Sequence, residues 1–156
     1  MASRTPLHDA DRIGSEDTIR RLLVKGADMN VVDKEGRTPL YDAARADPED
    51  NIRGLLINGA DIQVVDKNGR TPLHDAARSG SKGTILRLLV KGKGLQAVDK
   101  DGRTPLHDAV CAGSRDTVDW LLRKGADMKA IDKDGQTPLH DAVSMNLVSI
   151  TVCSST

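Results

Sequence analysis

The hexapeptide Thr-Pro-Leu-His-Asp-Ala constrains this chain more than any other feature. It begins at Thr5, Thr71, Thr104 and Thr137, and the copy at Thr38 carries Tyr41 where the others carry His. Each start lies 33 residues after the one before it. A fixed period of that size means one supersecondary unit stacked repeatedly, each covering the apolar side of its neighbour. The units run 4–36, 37–69, 70–102 and 103–135, with a partial fifth over 136–156. Together they make one domain over 1–156 whose core lies between units rather than in a central mass.

Every unit reads the same way. Thr5 is placed to cap a helix with Pro6 at the first helical position, where its missing N–H costs nothing. Leu7 and Ala10 face inward, and Gly14 ends this short helix. A second helix follows over 16–25, with Ile19, Leu22 and Leu23 forming one apolar stripe at i, i+3 and i+4. Gly26 supplies a left-handed C-cap. An extended piece over 27–32 leads into Asp33-Lys34-Glu35-Gly36, the composition of a type I β-turn. The unit is therefore helix, helix, finger. The Leu pairs 22/23, 55/56, 88/89 and 121/122 are expected to be its energetic centre.

Departures from the repeat are informative. Asp11 stands where Ala44, Ala77, Val110 and Val143 are apolar, which suits an N-terminal cap with a polar outer face. Asp47-Pro48-Glu49-Asp50 replaces the Gly-Ser turn and still caps a helix. Lys93 and Gly94 replace the Ala-Asp of other units, so that loop is expected to be the most irregular. The fifth unit loses the pattern after Ala142, with Ser154 and Ser155 where a Leu pair stood. Trp120, on the second helix, is read as a half-buried filler, with a partner anchor as the other possibility.

This pattern resembles the ankyrin repeat, a 33-residue unit carrying T-P-L-H-x-A. The resemblance implies an all-α solenoid of helix-turn-helix units with β-hairpin fingers. It also implies that the motif His bonds the Thr hydroxyl and neighbouring backbone. Ankyrin-repeat proteins commonly bind partners with finger tips and the exposed side of the first helix. Carried over position by position, that surface includes Lys34, Glu35, Arg37, Arg45 and Ala46. In the next unit it includes Lys67, Asn68, Arg70, Arg78 and Ser79, then Lys100, Asp101, Arg103, Cys111 and Ala112.

Three rows cross these positions. Lys34, Lys67, Lys100 and Lys133 mark the tips. Asp9, Asp42, Asp75, Asp108 and Asp141 form an acidic row on the inner helices, read either as solvated and offset by Arg4, Arg37, Arg70 and Arg103, or as acceptors for a partner's basic groups. Val32, Val65, Val98 and Ile131 precede each turn, and packing between fingers is expected for them over an exposed stripe.

Composition bounds the function. Lys plus Arg number 23 and Asp plus Glu 23, giving zero formal net charge, which argues against wholesale attraction to nucleic acid or anionic membrane. One Trp, one Tyr and no Phe supply little stacking on bases or sugars. No apolar run is long enough to span a bilayer, and the opening Met-Ala-Ser-Arg-Thr-Pro lacks the order of a signal peptide. Cys111 and Cys153 lack metal-type spacing and read as reduced thiols of an intracellular (cytoplasmic or nuclear) protein. The His-Asp pairs are adjacent on a helix, about 100° apart, and so form no dyad. No catalytic, cofactor-binding or metal-binding residues are expected.

The leading reading is a protein–protein interaction module or scaffold using the concave finger and inner-helix surface. It is expected to be a monomer, with a dimer contact through 147–152 as the alternative. A second reading is a binder of an anionic ligand or nucleic acid through the Lys/Arg rows. A third is a regulatory segment of a larger protein.

Overall fold

Threonine followed by proline starts the inner helices by removing their alternatives. Thr71 and Thr104 sit at N-caps in extended backbone (φ −98° and −93°), and proline follows in the first turn of each helix. The computed structural model describes residues 4–13, 16–46, 49–90 and 94–144. The expectations for Gly14, the Asp11 and Glu49 side chains, Asp47-Pro48, Lys93, 147–152, Cys153, Ser154 and Ser155 lie outside the described residues.

Within the described residues the regular elements are all α-helices, joined by turns. The inner helices are α1 (Pro6–Ile13), α3 (Pro39–Ala46), α5 (Pro72–Ser79), α7 (Pro105–Cys111) and α9 (Pro138–Ser144). The outer helices are α2 (Glu16–Val24), α4 (Glu49–Ile57), α6 (Lys82–Val90) and α8 (Arg115–Arg123). Each inner helix stacks on the next inner one, α2 stacks on α4, and α4 on α6. The result is a two-layer all-α solenoid.

Small residues set the close spacing of the inner row. Ala43, Ala44, Ala76, Ala77 and Ala109 are all fully buried, so backbones approach without a bulky side chain between them. Leu7, Leu40, Leu73 and Leu106 fill the space toward the outer layer. The outer helices α2, α4 and α8 end in a Schellman motif. The Gly26 N–H donates to the Leu23 carbonyl (2.9 Å) and the Ala27 N–H to that of Leu22 (3.0 Å), with Gly26 at φ 85°. Gly125 and Ala126 repeat this arrangement on Leu122 and Leu121.

The leucine pairs are unequal, which corrects their treatment as one energetic unit. Leu55, Leu88 and Leu121 are buried, whereas Leu23, Leu89 and Leu122 are only partly so. The first leucine lies three residues after Ile52, Ile85 or Val118 and points with it at the inner layer. The second is turned about 100° further, to the edge of the stripe. Leu56 is the one second member that is buried.

The fingers carry a further correction. Among the described residues there is no strand, so the expected β-hairpins are tight turns. One ladder-type bond, from the Asp33 N–H to the Arg37 carbonyl (2.9 Å), closes the finger before the chain enters α3. A single such pair is too short for a strand. The fingers join one another instead. The Lys67 N–H donates to the Glu35 carbonyl (2.9 Å), that of Lys100 to Asn68 (2.9 Å), and that of Lys133 to Asp101 (2.8 Å). This row needs glycine behind it. A Cβ on Gly102 would come within 3.1 Å of the Lys133 nitrogen, and its φ of 75° is itself unfavourable for any other residue.

Two substitutions separate these roles. Leu88→Ala should cost about 2–5 kcal/mol, and Leu89→Ala roughly half as much or less, because the second site opens to solvent instead of leaving a cavity. Equilibrium urea unfolding of both variants measures the difference, and equal costs would contradict the assignment of Leu88 as the buried member.

Candidate functional site

The face expected to be concave is the one made by the inner helices and the fingers, and its geometry begins at the motif histidine. The Thr71 N–H donates to His74 Nδ1 (3.1 Å), and Thr71 Oγ1 lies 2.9 Å from the same nitrogen. Nδ1 is therefore the bare nitrogen, and Nε2–H donates to the Arg103 carbonyl in the next unit (3.0 Å). His8 and His107 repeat this, reaching the carbonyls of Arg37 (3.0 Å) and Gln136 (3.2 Å). The Thr–His bond implied by the family resemblance is thus present, and the ring also couples successive units. Burial lowers the His74 pKa, against the opposing pull of its bond to Arg103, so the ring is neutral.

Tyr41 does the same mechanical task with different chemistry. Its hydroxyl reaches the Arg70 carbonyl (2.6 Å) and that of Val64, and burial raises its pKa. A phenol offers nothing at the near end of the slot, so Thr38 Oγ1 is buried with no hydrogen-bond partner. Asn51, at the position of Thr18, Thr84 and Thr117, likewise buries its Nδ2 without a partner.

Each finger is held by its aspartate. Asp33 Oδ1 accepts the N–H groups of Glu35 (2.8 Å) and Arg37 (3.0 Å), while the Arg37 guanidinium donates to Oδ2 (3.1 Å). Burial opposes the charge of Asp33, but these bonds outweigh it and hold the pKa low. Asp66, Asp99 and Asp132 repeat the backbone pattern. For Asp132 the Gln136 N–H is the main cause of a lowered pKa.

The arginine and aspartate rows interlock across units. Arg4 pairs with Asp42 (2.7 Å), Arg70 with Asp108 (2.9 Å) and Arg103 with Asp141 (2.9 Å), each 38 residues apart. Arg70 also meets Asp75 (3.4 Å) and Asp99 (3.5 Å). Arg37 instead folds back on its own finger. Asp42 and Asp108 are buried and Asp75 is half-buried, so this part of the acidic row is not solvated. For Asp42 and Asp75, burial raises the pKa against the pull of Arg4 and Arg70 respectively. A constant Arg-to-Asp offset of 38 was the signal in the sequence that could have revealed this cross-linking.

The remaining positions of the surface sort by exposure. Lys34, Glu35, Lys67, Asn68, Lys100, Asp101 and Lys133 are exposed at the tips, where Lys133 pairs with Asp101 (2.7 Å). Arg45, Ala46, Arg78, Ser79 and Ala112 are exposed at the C-terminal ends of the inner helices. Cys111 is half-buried and unpaired, receiving an N–H from Arg103 (2.8 Å); burial raises its pKa. Arg45, Asp75, Arg78 and Ser79 line a cleft of about 500 Å³.

The valine row is not packed between fingers as expected. Val32, Val65, Val98 and Ile131 are 37%, 53%, 56% and 64% exposed. Neighbouring side chains in extended backbone point to opposite sides. The following aspartate turns inward to hold the finger, so the residue before it turns out. Trp120 is half-buried against the core with Lys124 Nζ 5.3 Å from its ring, as a filler would be. Among the described residues no group of His, Cys, Asp and Glu could hold a metal ion, and no helix is long and apolar enough to cross a membrane.

A family model for ankyrin repeats (3 copies) matches residues 2–66 and 49–132. None of the curated proteins matches the chain.

The geometry makes acid a selective stress. The His74 pKa is lowered in the fold from the ordinary value of 6.5, so below that value the unfolded chain binds a proton the folded chain resists. Stability should be full above it and fall as the pH drops through it. Asp42 and Asp75 act in the opposite sense nearer the carboxylate range. Replacing His74 with Tyr, the residue already used at position 41, should flatten the loss in melting temperature between neutral and mildly acidic buffer. An unchanged slope would remove His74 from this role. Arg70→Ala, which strands buried Asp108, should cost about 3–5 kcal/mol in urea unfolding, against almost nothing for exposed Arg45→Ala.

Proposed function

The chain belongs to the ankyrin-repeat family, and from that premise we propose that it recognises a partner protein through the concave surface of finger tips and inner helices. Ankyrin repeats generally serve as protein-interaction modules, and they typically act as binding scaffolds rather than catalysts. The observation that carries the reading to this face is the exposed row Val32, Val65, Val98 and Ile131, one apolar side chain per finger. Apolar groups spaced along a rigid edge contribute on contact with another protein's side chains, whereas a purely anionic ligand gains nothing from them.

Rigidity favours the same use. Fingers tied to one another by backbone bonds and to the helices by His or Tyr are ordered before a partner arrives, which limits the entropy lost on association. The tip residues Lys34, Glu35, Lys67, Asn68, Lys100, Asp101 and Lys133 flank the valine row and would set orientation and salt sensitivity. The ends of the inner helices, with Arg45, Ala46, Arg78, Ser79 and Ala112, complete the surface. Arg37, Asp42, Arg70, Asp75, Arg103 and Asp108 support it from within, and Cys111 lies beside them.

Site-specific photocrosslinking tests the face. A benzophenone side chain replacing Val65 should yield a discrete adduct in lysate, and one replacing Ile57, exposed on outer helix α4, should not. Equal adducts from both positions, or adducts from Ile57 alone, would refute the concave assignment.

A further inference from the structure

We infer that the concave surface selects an acidic partner: the cleft between the C-terminal ends of α3 and α5 receives a carboxylate side chain from an Asp/Glu-rich segment of another protein, clasped by Arg45 and Arg78. This rests on the concave-surface reading and adds the partner's charge to it.

The inference follows from which charges are already used. The carboxylates that share the concave face are bound from within: Asp42 by Arg4, Asp75 and Asp108 by Arg70, Asp141 by Arg103, Asp33 by Arg37. Those arginines are correspondingly occupied. Arg45 and Arg78 are different. Both are exposed, both line the cleft, and neither forms an ion pair with a described residue. Arg45 acts on Asp75 only at longer range, and that carboxylate is half-buried behind Arg70 at 3.4 Å. Lys34 and Lys67 at the neighbouring tips are also exposed and form no ion pair with a described residue. Four cations of this stretch are thus without an ion pair, against one exposed carboxylate at the same tips, Glu35.

The chain as a whole is neutral, so this is a local excess, produced by pairing rather than by composition. Two planar guanidiniums, each able to donate a fork of N–H groups, match a carboxylate and its neighbours along an acidic segment. The Ser79 hydroxyl at the cleft adds a further polar group, now turned to Ser81 (2.8 Å) and the Ala76 carbonyl (3.1 Å). Two residues before Lys34 and Lys67 in the fingers stand Val32 and Val65, exposed and apolar. That mixture favours an acidic protein segment over nucleic acid, which would draw on the cations and leave the valines unused. In the following unit Cys111 takes the place of arginine, so the cationic row does not continue onto α7, whereas α1 carries Arg12 at the same repeat position.

Titration calorimetry on the full chain, with a short oligo-glutamate peptide as probe, tests this. Oligo-glutamine, oligo-lysine and an oligo-dT of matched charge serve as comparisons. Oligo-glutamate should bind and weaken steeply with salt, while oligo-glutamine and oligo-lysine should not bind. The double variant R45Q/R78Q should lose about tenfold or more in affinity, whereas R20Q/R21Q on the outer helix α2 should match the parent. Charge reversal in R45E/R78E should transfer binding to oligo-lysine, and because both side chains are exposed its melting temperature should stay near that of the parent. Absence of oligo-glutamate binding at low salt, equal affinity in R45Q/R78Q, or tighter binding of oligo-dT would each overturn the inference. The first of these together with a Val65-specific crosslink would sink the acidic preference alone. Oligo-glutamate binding lost in R45Q/R78Q, together with equal crosslinks at Val65 and Ile57, would instead sink the reading of the fingers.

Discussion

One hydrogen bond decides whether these units behave as a stack: the bond from the third residue of inner helices α1, α3, α5 and α7 to a carbonyl 29 residues on. His8, His74 and His107 make it with a ring N–H, and Tyr41 makes it with a hydroxyl. The carbonyl it reaches lies just before the next helix starts, where no intrahelical partner is available. That carbonyl also accepts the N–H of the finger aspartate (Asp33 to Arg37, 2.9 Å), so what the link satisfies is the buried ring N–H or hydroxyl, which left unpaired would cost about 1–3 kcal/mol. The bond also fixes where the next finger begins, because the acceptor residue closes the turn onto its aspartate. Helix spacing, finger position and the row of finger-to-finger bonds all follow from this one link.

The charged rows show how the same architecture disposes of most of its surface chemistry. A buried aspartate such as Asp108 is tolerable because Arg70 crosses from the preceding unit to meet it, and Arg70 in turn spans three carboxylates. Such pairs are weak evidence for stability, since desolvation consumes much of the Coulomb gain. They are stronger evidence for register, because a guanidinium placed one turn away would leave two charges stranded. Pairing of this kind also decides what a partner can meet. Each internal ion pair removes both of its members from recognition, and the residue types left over, not the totals, set the character of the face.

Legibility from sequence was uneven for physical reasons. The period, the helix starts at Pro6, Pro39, Pro72, Pro105 and Pro138, and the left-handed glycines were readable because each depends on backbone chemistry carried by one residue type. The direction of individual side chains was less so. Both leucines of a pair are equally apolar, and only the rotation of the helix against its neighbours separates buried Leu88 from half-exposed Leu89. The valines before each turn failed for a related reason. Apolarity suggested packing, but Asp33, Asp66, Asp99 and Asp132 face inward to accept finger N–H groups, and alternation turns the preceding residue out. The offset of 38 between arginine and aspartate was present in the sequence from the start. It is a relation between two rows in different units, however, and periodicity within one unit does not display it. The Tyr41 substitution was visible, yet the stranded Thr38 hydroxyl needed the ring's actual position.

Neutral composition is the place where bulk reasoning and local geometry part most clearly. Equal numbers of acidic and basic residues predict no long-range field, and at distances beyond about 10 Å in ordinary salt that holds. At contact distance the relevant quantity is the set of unpaired groups on one face. Here the fold draws most of its concave-face acids inward, one set to hold the fingers and another to bridge inner helices, with Asp9 left exposed. It does not draw in Arg45 or Arg78, which stay exposed at their helix ends. A repeat protein can therefore be electrically silent as a whole and strongly signed along its groove, and the sign is fixed by the framework's own hydrogen-bonding needs.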